Sequence, residues 1–224
     1  AMGTHMGSTD PELRDDLIFN TLATWIWEDI FEPRDLNEIL KVVLNDQHLF
    51  LGLGEVDSDT VFNRSFSMLI LRSILNAHIR HHFLPDDEIQ VIKSKIMRYL
   101  ANERDLRGYV PVKGWAHAIA HAADALEELV QCDALVATDL LEILETIREI
   151  ISSGETVYIC EEDERLVTAV ITTWQREEIS DEIIIQWLES FIIVAESRKL
   201  QPEGYRRFVN TKNFLRSLYF RSQI

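Results

Sequence analysis

Apolar side chains recur every three to four positions along most of the chain, the period of helices that bury one face. The pattern is plainest between 58 and 83, where Phe62, Phe66, Leu69, Ile70 and Ile74 share one side. Read the same way, the chain predicts helices near 10–31, 34–46, 58–83, 86–104, 114–131, 137–152, 161–176, 179–198 and 202–221. Start signals agree with these bounds: Pro11, Pro33, Pro85 and Pro202 are each followed by acids, which suit the positive end of a helix dipole. Only 156–160 reads as extended, and it is too short to seed a sheet.

The predicted helices pair as antiparallel hairpins whose first members begin near 10, 58, 114 and 161, a spacing of about 50 residues. A single hairpin cannot bury its own apolar face, so neighbours must stack. The expected fold is all-α: a superhelix of stacked hairpins of HEAT or armadillo type, with about nine helices in one domain over 9–224 and one concave surface. A compact orthogonal bundle is the competing architecture. Residues 1–8, which include Gly-Thr-His-Met-Gly-Ser, read as an expression scar and are set aside from site reasoning.

Composition narrows the class. With 46% hydrophobic and 27% charged residues the chain suits a soluble globular protein, and no apolar run approaches a membrane span. Cys132 and Cys160 form neither a Cys-x-x-Cys motif nor a disulfide framework, so a cytoplasmic location is expected. The net charge of −16 disfavours nucleic acid, whose binding needs Lys and Arg. That charge is uneven: 124–196 sums to −16 and 198–224 to +6. The basic C-terminal helix is therefore a candidate for pairing with an acidic body, within the chain or in a homo-oligomer.

One stretch carries chemistry. Gly108, Pro111 and Gly114 punctuate a turn, after which Trp115, Ile119, Ala122, Leu126 and Leu129 form a core stripe. His117, His121 and Asp124 recur at i, i+4 and i+7 on a second face of the same helix. Interleaved alanines let neighbours approach closely, so that face should be partly enclosed and its polar groups partnered. Antiparallel pairing would bring Glu103, Asp105, Arg107 and Lys113 within reach of His117. Asn63 and Arg64 on one side, and Glu161 and Glu162 on the other, should lie at a similar height. His78, His81 and His82 fall some 20 residues along their own helix and read as an exposed helix end.

The run Glu103-Arg104-Asp105-Leu106-Arg107-Gly108-Tyr109, with Lys113-Gly114-Trp115-Ala116-His117 and Ala120-His121-Ala122-Ala123-Asp124, resembles the signature of a bacterial, Firmicutes-type all-helical family of unknown function. The match covers about 25 residues. It implies a cytoplasmic superhelix similar to HEAT repeats and brings no activity with it.

Three functions fit these residues. The first is a noncatalytic binding module whose concave face, around Arg107, Trp115, His117 and His121, takes a peptide, a protein or a small anionic ligand. Glu103, Asp105, Lys113 and Asp124 complete the candidate ligand-binding set. The second is a divalent-metal-dependent hydrolase with His117, His121 and Asp124 as ligands, Glu103 or Asp105 as base and Arg107 stabilising developing charge. The third is a structural or assembly role for the basic C-terminal helix. No cofactor motif, Gly-rich phosphate loop or activated Ser or Cys occurs.

Overall fold

The structure, a computed structural model, describes residues 5–192 and 201–223. It is all-α apart from one two-stranded hairpin. A π-helical run, Glu12–Phe19, leads into α1 (Asn20–Trp27); α2 (Pro33–Val43), α3 (Thr60–His81) and α4 (Asp86–Asn102) follow. Strands β1 (Tyr109–Val110) and β2 (Gly114–Trp115) precede α5 (Ala118–Leu129), α6 (Ala137–Ile151), α7 (Glu162–Gln175), α8 (Asp181–Glu189) and α9 (Gln201–Arg221). The predicted extension of α8 to 198 lies partly outside the described residues.

Pairwise contacts give the order of the stack. Arg14 lies over Phe62 and Phe66 near the start of α3, while Arg80 near its end reaches the Ile26 carbonyl and Asp29, so the first helix runs parallel to α3. His121 meets the Ser65 carbonyl and Glu128 meets Arg72 and Asn76, so α5 is parallel to α3. Asp124 pairs with Arg165 and the Val130 carbonyl accepts from Arg176, so α7 is parallel to α5. This is the parallel row of first helices expected from the spacing. Behind it Lys93 of α4 bridges Asp139 and Glu142 of α6 at 2.6 and 2.7 Å. Helix α9 closes the far end, where Arg206, Arg207 and Arg221 donate to the carbonyls of Gly154, Ser153 and Glu164.

Helix α3 is central and is buried on nearly every side, which explains its aliphatic and aromatic run. Phe62, Leu71 and Ile74, with Leu126 and Leu129 of α5 and Leu166 and Val170 of α7, are fully buried. Each such side chain stabilises the fold by roughly 1.5–3 kcal/mol. Two polar side chains inside the row are satisfied by backbone: Ser67 donates to the Asn63 carbonyl at 2.6 Å, and Asn63 donates to the Gln47 carbonyl at 2.9 Å. Met6 is buried and Ser8 accepts from Arg14 at 2.7 Å, so part of the segment set aside above packs on the fold. His78 is likewise buried rather than exposed, its Nδ1 accepting the Leu84 N–H at 3.1 Å. Cys132 and Cys160 are both free thiols.

The largest departure from the periodicity falls at 109–117. The helix predicted from 114 begins only at Ala118, and the residues before it form the β1–β2 hairpin, with Tyr109 opposite Trp115 and Val110 opposite Gly114. The cause is local. Pro111 has no N–H to give, and Gly114 takes φ +82°, a left-handed conformation that glycine adopts without penalty. Alternate strand residues face opposite ways, so Gly114 turns inward onto Arg14 and Trp115 turns outward. Trp115 therefore leaves the core stripe; it is 42% exposed. The segment 156–160 forms no strand.

Gly108 fixes the hairpin against the loop before α7. A Cβ there would run into Cys160 Sγ and stand 2.9 Å from Cys160 Cβ. Gly108→Ala is expected to lower stability by about 1–3 kcal/mol through overpacking, and Gly108→Ala with Cys160→Gly should recover most of it, as read by chemical denaturation.

Candidate functional site

A recess of about 600 Å³ opens where the first helix, α3, α5 and α7 lie side by side near their N-terminal ends. Asp15 and Phe19 form one wall, Phe66 and Leu69 the floor, Trp115, His117 and His121 the centre, and Cys160, Glu161 and Arg165 the far wall. Its rings are ordered by mutual contact. Trp115 stacks at a tilt on His117 with centroids 4.2 Å apart, His117 meets His121 edge-on at 5.6 Å, and His121 meets Phe66 edge-on at 5.2 Å. Tyr109 meets Trp115 edge to face at 5.0 Å.

The backbone around this recess is unusual. Helix N-caps ordinarily sit in extended conformations, yet His117 caps α5 at φ +48° and Glu161 caps α7 at φ +65°, both left-handed and neither a glycine. Neither side chain accepts a capping hydrogen bond from its helix. Such conformations cost of order 1–3 kcal/mol each and cluster at functional positions. The His117 ring at this left-handed position stacks on Trp115.

Burial sets the charge of the rings. Desolvation, with help from the Arg165 charge, lowers the His117 pKa to about 4. Desolvation lowers His121 to about 3, with His117 and Arg165 adding to it. Both imidazoles are neutral at pH 7. Nδ1 of His121 lies 3.3 Å from the Ser65 carbonyl, and Nε2 of His117 is buried with no hydrogen-bond partner among the described residues. Arg165 is tied to Asp124, whose pKa burial raises. Asp15 holds the fully buried Arg14 at 2.7 Å.

The residues expected to meet His117 divide into three groups instead. Glu103 forms a buried two-pronged pair with Arg64 at 2.7 and 2.9 Å and accepts the N–H groups of Arg104 and Asp105. Arg107 turns to the opposite side of the loop: Asp105 accepts from it at 2.7 and 2.6 Å, as does the Ser58 carbonyl at 3.0 Å. That hydrogen-bonded pairing raises the pKa of Arg107. Lys113 pairs with Asp59 at 2.7 Å, and only its carbonyl, which accepts from Arg14 at 2.9 Å, faces the site. The backbone nevertheless joins the parts, since the N–H of His117 donates to the Arg107 carbonyl at 3.2 Å.

Asp124 faces Arg165 rather than the imidazoles, and among the described residues no group of three or more His, Cys, Asp or Glu is placed to hold a metal ion. Of the expected ligand triad His117–His121–Asp124, the two imidazoles are neighbours, while the carboxylate is engaged by a guanidinium. Arg165, Asp15 and Phe19 went unnoticed in the sequence, whereas Glu161 arrives where the parallel row placed it.

A family model described as protein of unknown function (DUF2785) matches residues 49–220. The chain belongs to this family. The match spans α3 to nearly the end of α9, hence every recess residue except those of the first helix. No curated protein and no solved structure matches the chain. No helix among the described residues is long and apolar enough to cross a membrane.

Proposed function

We propose that this DUF2785 chain is a noncatalytic binding module, a HEAT-like superhelix whose recess around Trp115, His117, His121 and Arg165 takes a peptide or small-molecule ligand. One observation carries the reading: two non-glycine residues held in left-handed backbone, His117 and Glu161, line the same recess from two different helices. The rings then have clear parts. Trp115 offers a flat contact at the mouth, and two uncharged imidazoles offer polar edges below it. Further along the same helices Ala23, Trp27, Arg72 and Asn76 line a second, smaller hollow. At helical spacing these residues continue the face of Phe19 and Leu69, giving an extended ligand room beyond the first recess.

The test pans a random heptapeptide phage library against the whole chain and against Trp115→Ala. Sequences enriched on the wild type and lost on the variant, with unchanged circular dichroism, are expected. Equal recovery on both would contradict the reading.

A further inference from the structure

The charge left over in the recess selects its occupant. Arg107, the cation that suggested an anionic ligand, lies on the other side of the loop, and Arg165 is neutralised by Asp124. Asp15 is matched by Arg14. Glu161 is exposed on the rim and makes no ion pair among the described residues, so the recess carries a net negative charge in a chain of net charge −16. A cation is drawn to such a field and an anion is repelled.

The aromatic walls act in the same direction. The faces of aromatic rings attract cations, and tryptophan does so most strongly. The protein uses this mode itself directly behind the recess: the guanidinium of Arg14 lies 4.3 Å from the centroid of Phe62 and 4.7 Å from that of Phe66, with the Asp15 carboxylate at its edge. At the mouth, Trp115, in edge-to-face contact with Tyr109, and Glu161 line the same recess and supply the same two components, a ring and a carboxylate. The imidazoles do not compete for the position, because burial keeps both uncharged at neutral pH.

Resting on the binding reading above, we infer that the recess takes an organic cation, a guanidinium or alkylammonium group on a flexible chain, held between the Trp115 ring and the Glu161 carboxylate. That group could be presented by a free amine or guanidine, or by a Lys or Arg side chain of a peptide.

The test follows the indole N–H of Trp115, identified by its loss in Trp115→Phe, in nitrogen–proton spectra of the full chain. The probes are n-butylguanidinium, tetramethylammonium, n-butyl phosphate, benzoate and the capped peptide acetyl-Gly-Arg-Gly-amide. Saturable shifts with the cations and none with the anions are expected, and Glu161→Gln should weaken the cation response by about threefold or more. A response to the peptide at much lower concentration than to n-butylguanidinium assigns the cation to a peptide, and equal responses assign it to a small molecule. Shifts with the anions alone overturn the cation assignment and leave the binding reading standing. Silence with every probe up to tens of millimolar overturns both.

Discussion

Glu103→Ala is expected to destabilise the fold by about 3–5 kcal/mol, the usual consequence of leaving one partner of a buried ion pair without its counter-charge. Arg64 would remain fully buried, held only by the carbonyls of Leu51 and Gly52 and the hydroxyl of Thr60, while the N–H groups of Arg104 and Asp105 would lose their acceptor. At roughly 2–4 °C per kcal/mol for a chain of this size, the melting temperature should fall by about 6–20 °C. The double variant Arg64→Met with Glu103→Leu removes both charges and should recover much of the loss. Calorimetry of the three proteins decides the matter, and a double variant no better than the single one would show that the hydrogen bonds to Arg104 and Asp105, rather than the charge, carry the effect.

Acid should weaken the protein through the two buried imidazoles. Unfolded histidine takes up its proton near pH 6.5, whereas His117 and His121 in the fold resist it until about 4 and about 3. Within that window the unfolded chain binds more protons than the folded one, so stability is full above about pH 6.5 and is lost as the pH falls. With each pKa unit equivalent to about 1.4 kcal/mol, the pair accounts for several kcal/mol of stability lost across the window. His121 is enclosed by Phe66, His117, Arg165, Arg14 and the Ser65 carbonyl; burial and the charges of His117, Arg165 and Arg14 disfavour its protonation, and the carbonyl favours it. Asp15, Asp124 and Glu162, whose pKa values burial raises, act in the opposite sense within the lower part of the window. Comparison with His121→Leu removes that background: the variant should unfold in urea with a visibly flatter dependence between pH 6.5 and 4. Parallel pH profiles would mean that the ring is already solvated.

The helical row was legible because its determinants are local and periodic. The 3.6-residue pattern, the prolines at helix starts and the spacing of about 50 residues specify hairpins, and hairpins that must bury one face stack in order. The same order sets Glu161 and Glu162 at the height of His117, and Glu161 lines the recess with it. Periodicity failed where three residues overruled it: Gly108, Pro111 and Gly114 shape a hairpin that rotates Trp115 out of the core and starts α5 at Ala118.

Within the site, His117 and His121 were legible as one face of one helix, and the arginine was not. Sequence proximity favoured Arg107, but an arginine two residues from a buried aspartate closes on that aspartate, and Asp105 takes it at 2.6 Å. Arg165 came instead from the next helix in the row and pairs with Asp124, while Arg148 of the Asp124 hairpin pairs with Glu145. Which of several arginines answers a buried acid depends on inter-helix register, and the spacing of apolar positions sets register only to within a turn.

The most direct test of the account is a crystal structure of the full chain grown with n-butylguanidinium. The account predicts the planar cation in the recess over the Trp115 ring, its edge toward Glu161, with His117 and His121 unmoved beneath it. A cation bound beside Asp57 and Asp105 near Arg107 instead, or Trp115 turned away from a recess that holds only water, would contradict it.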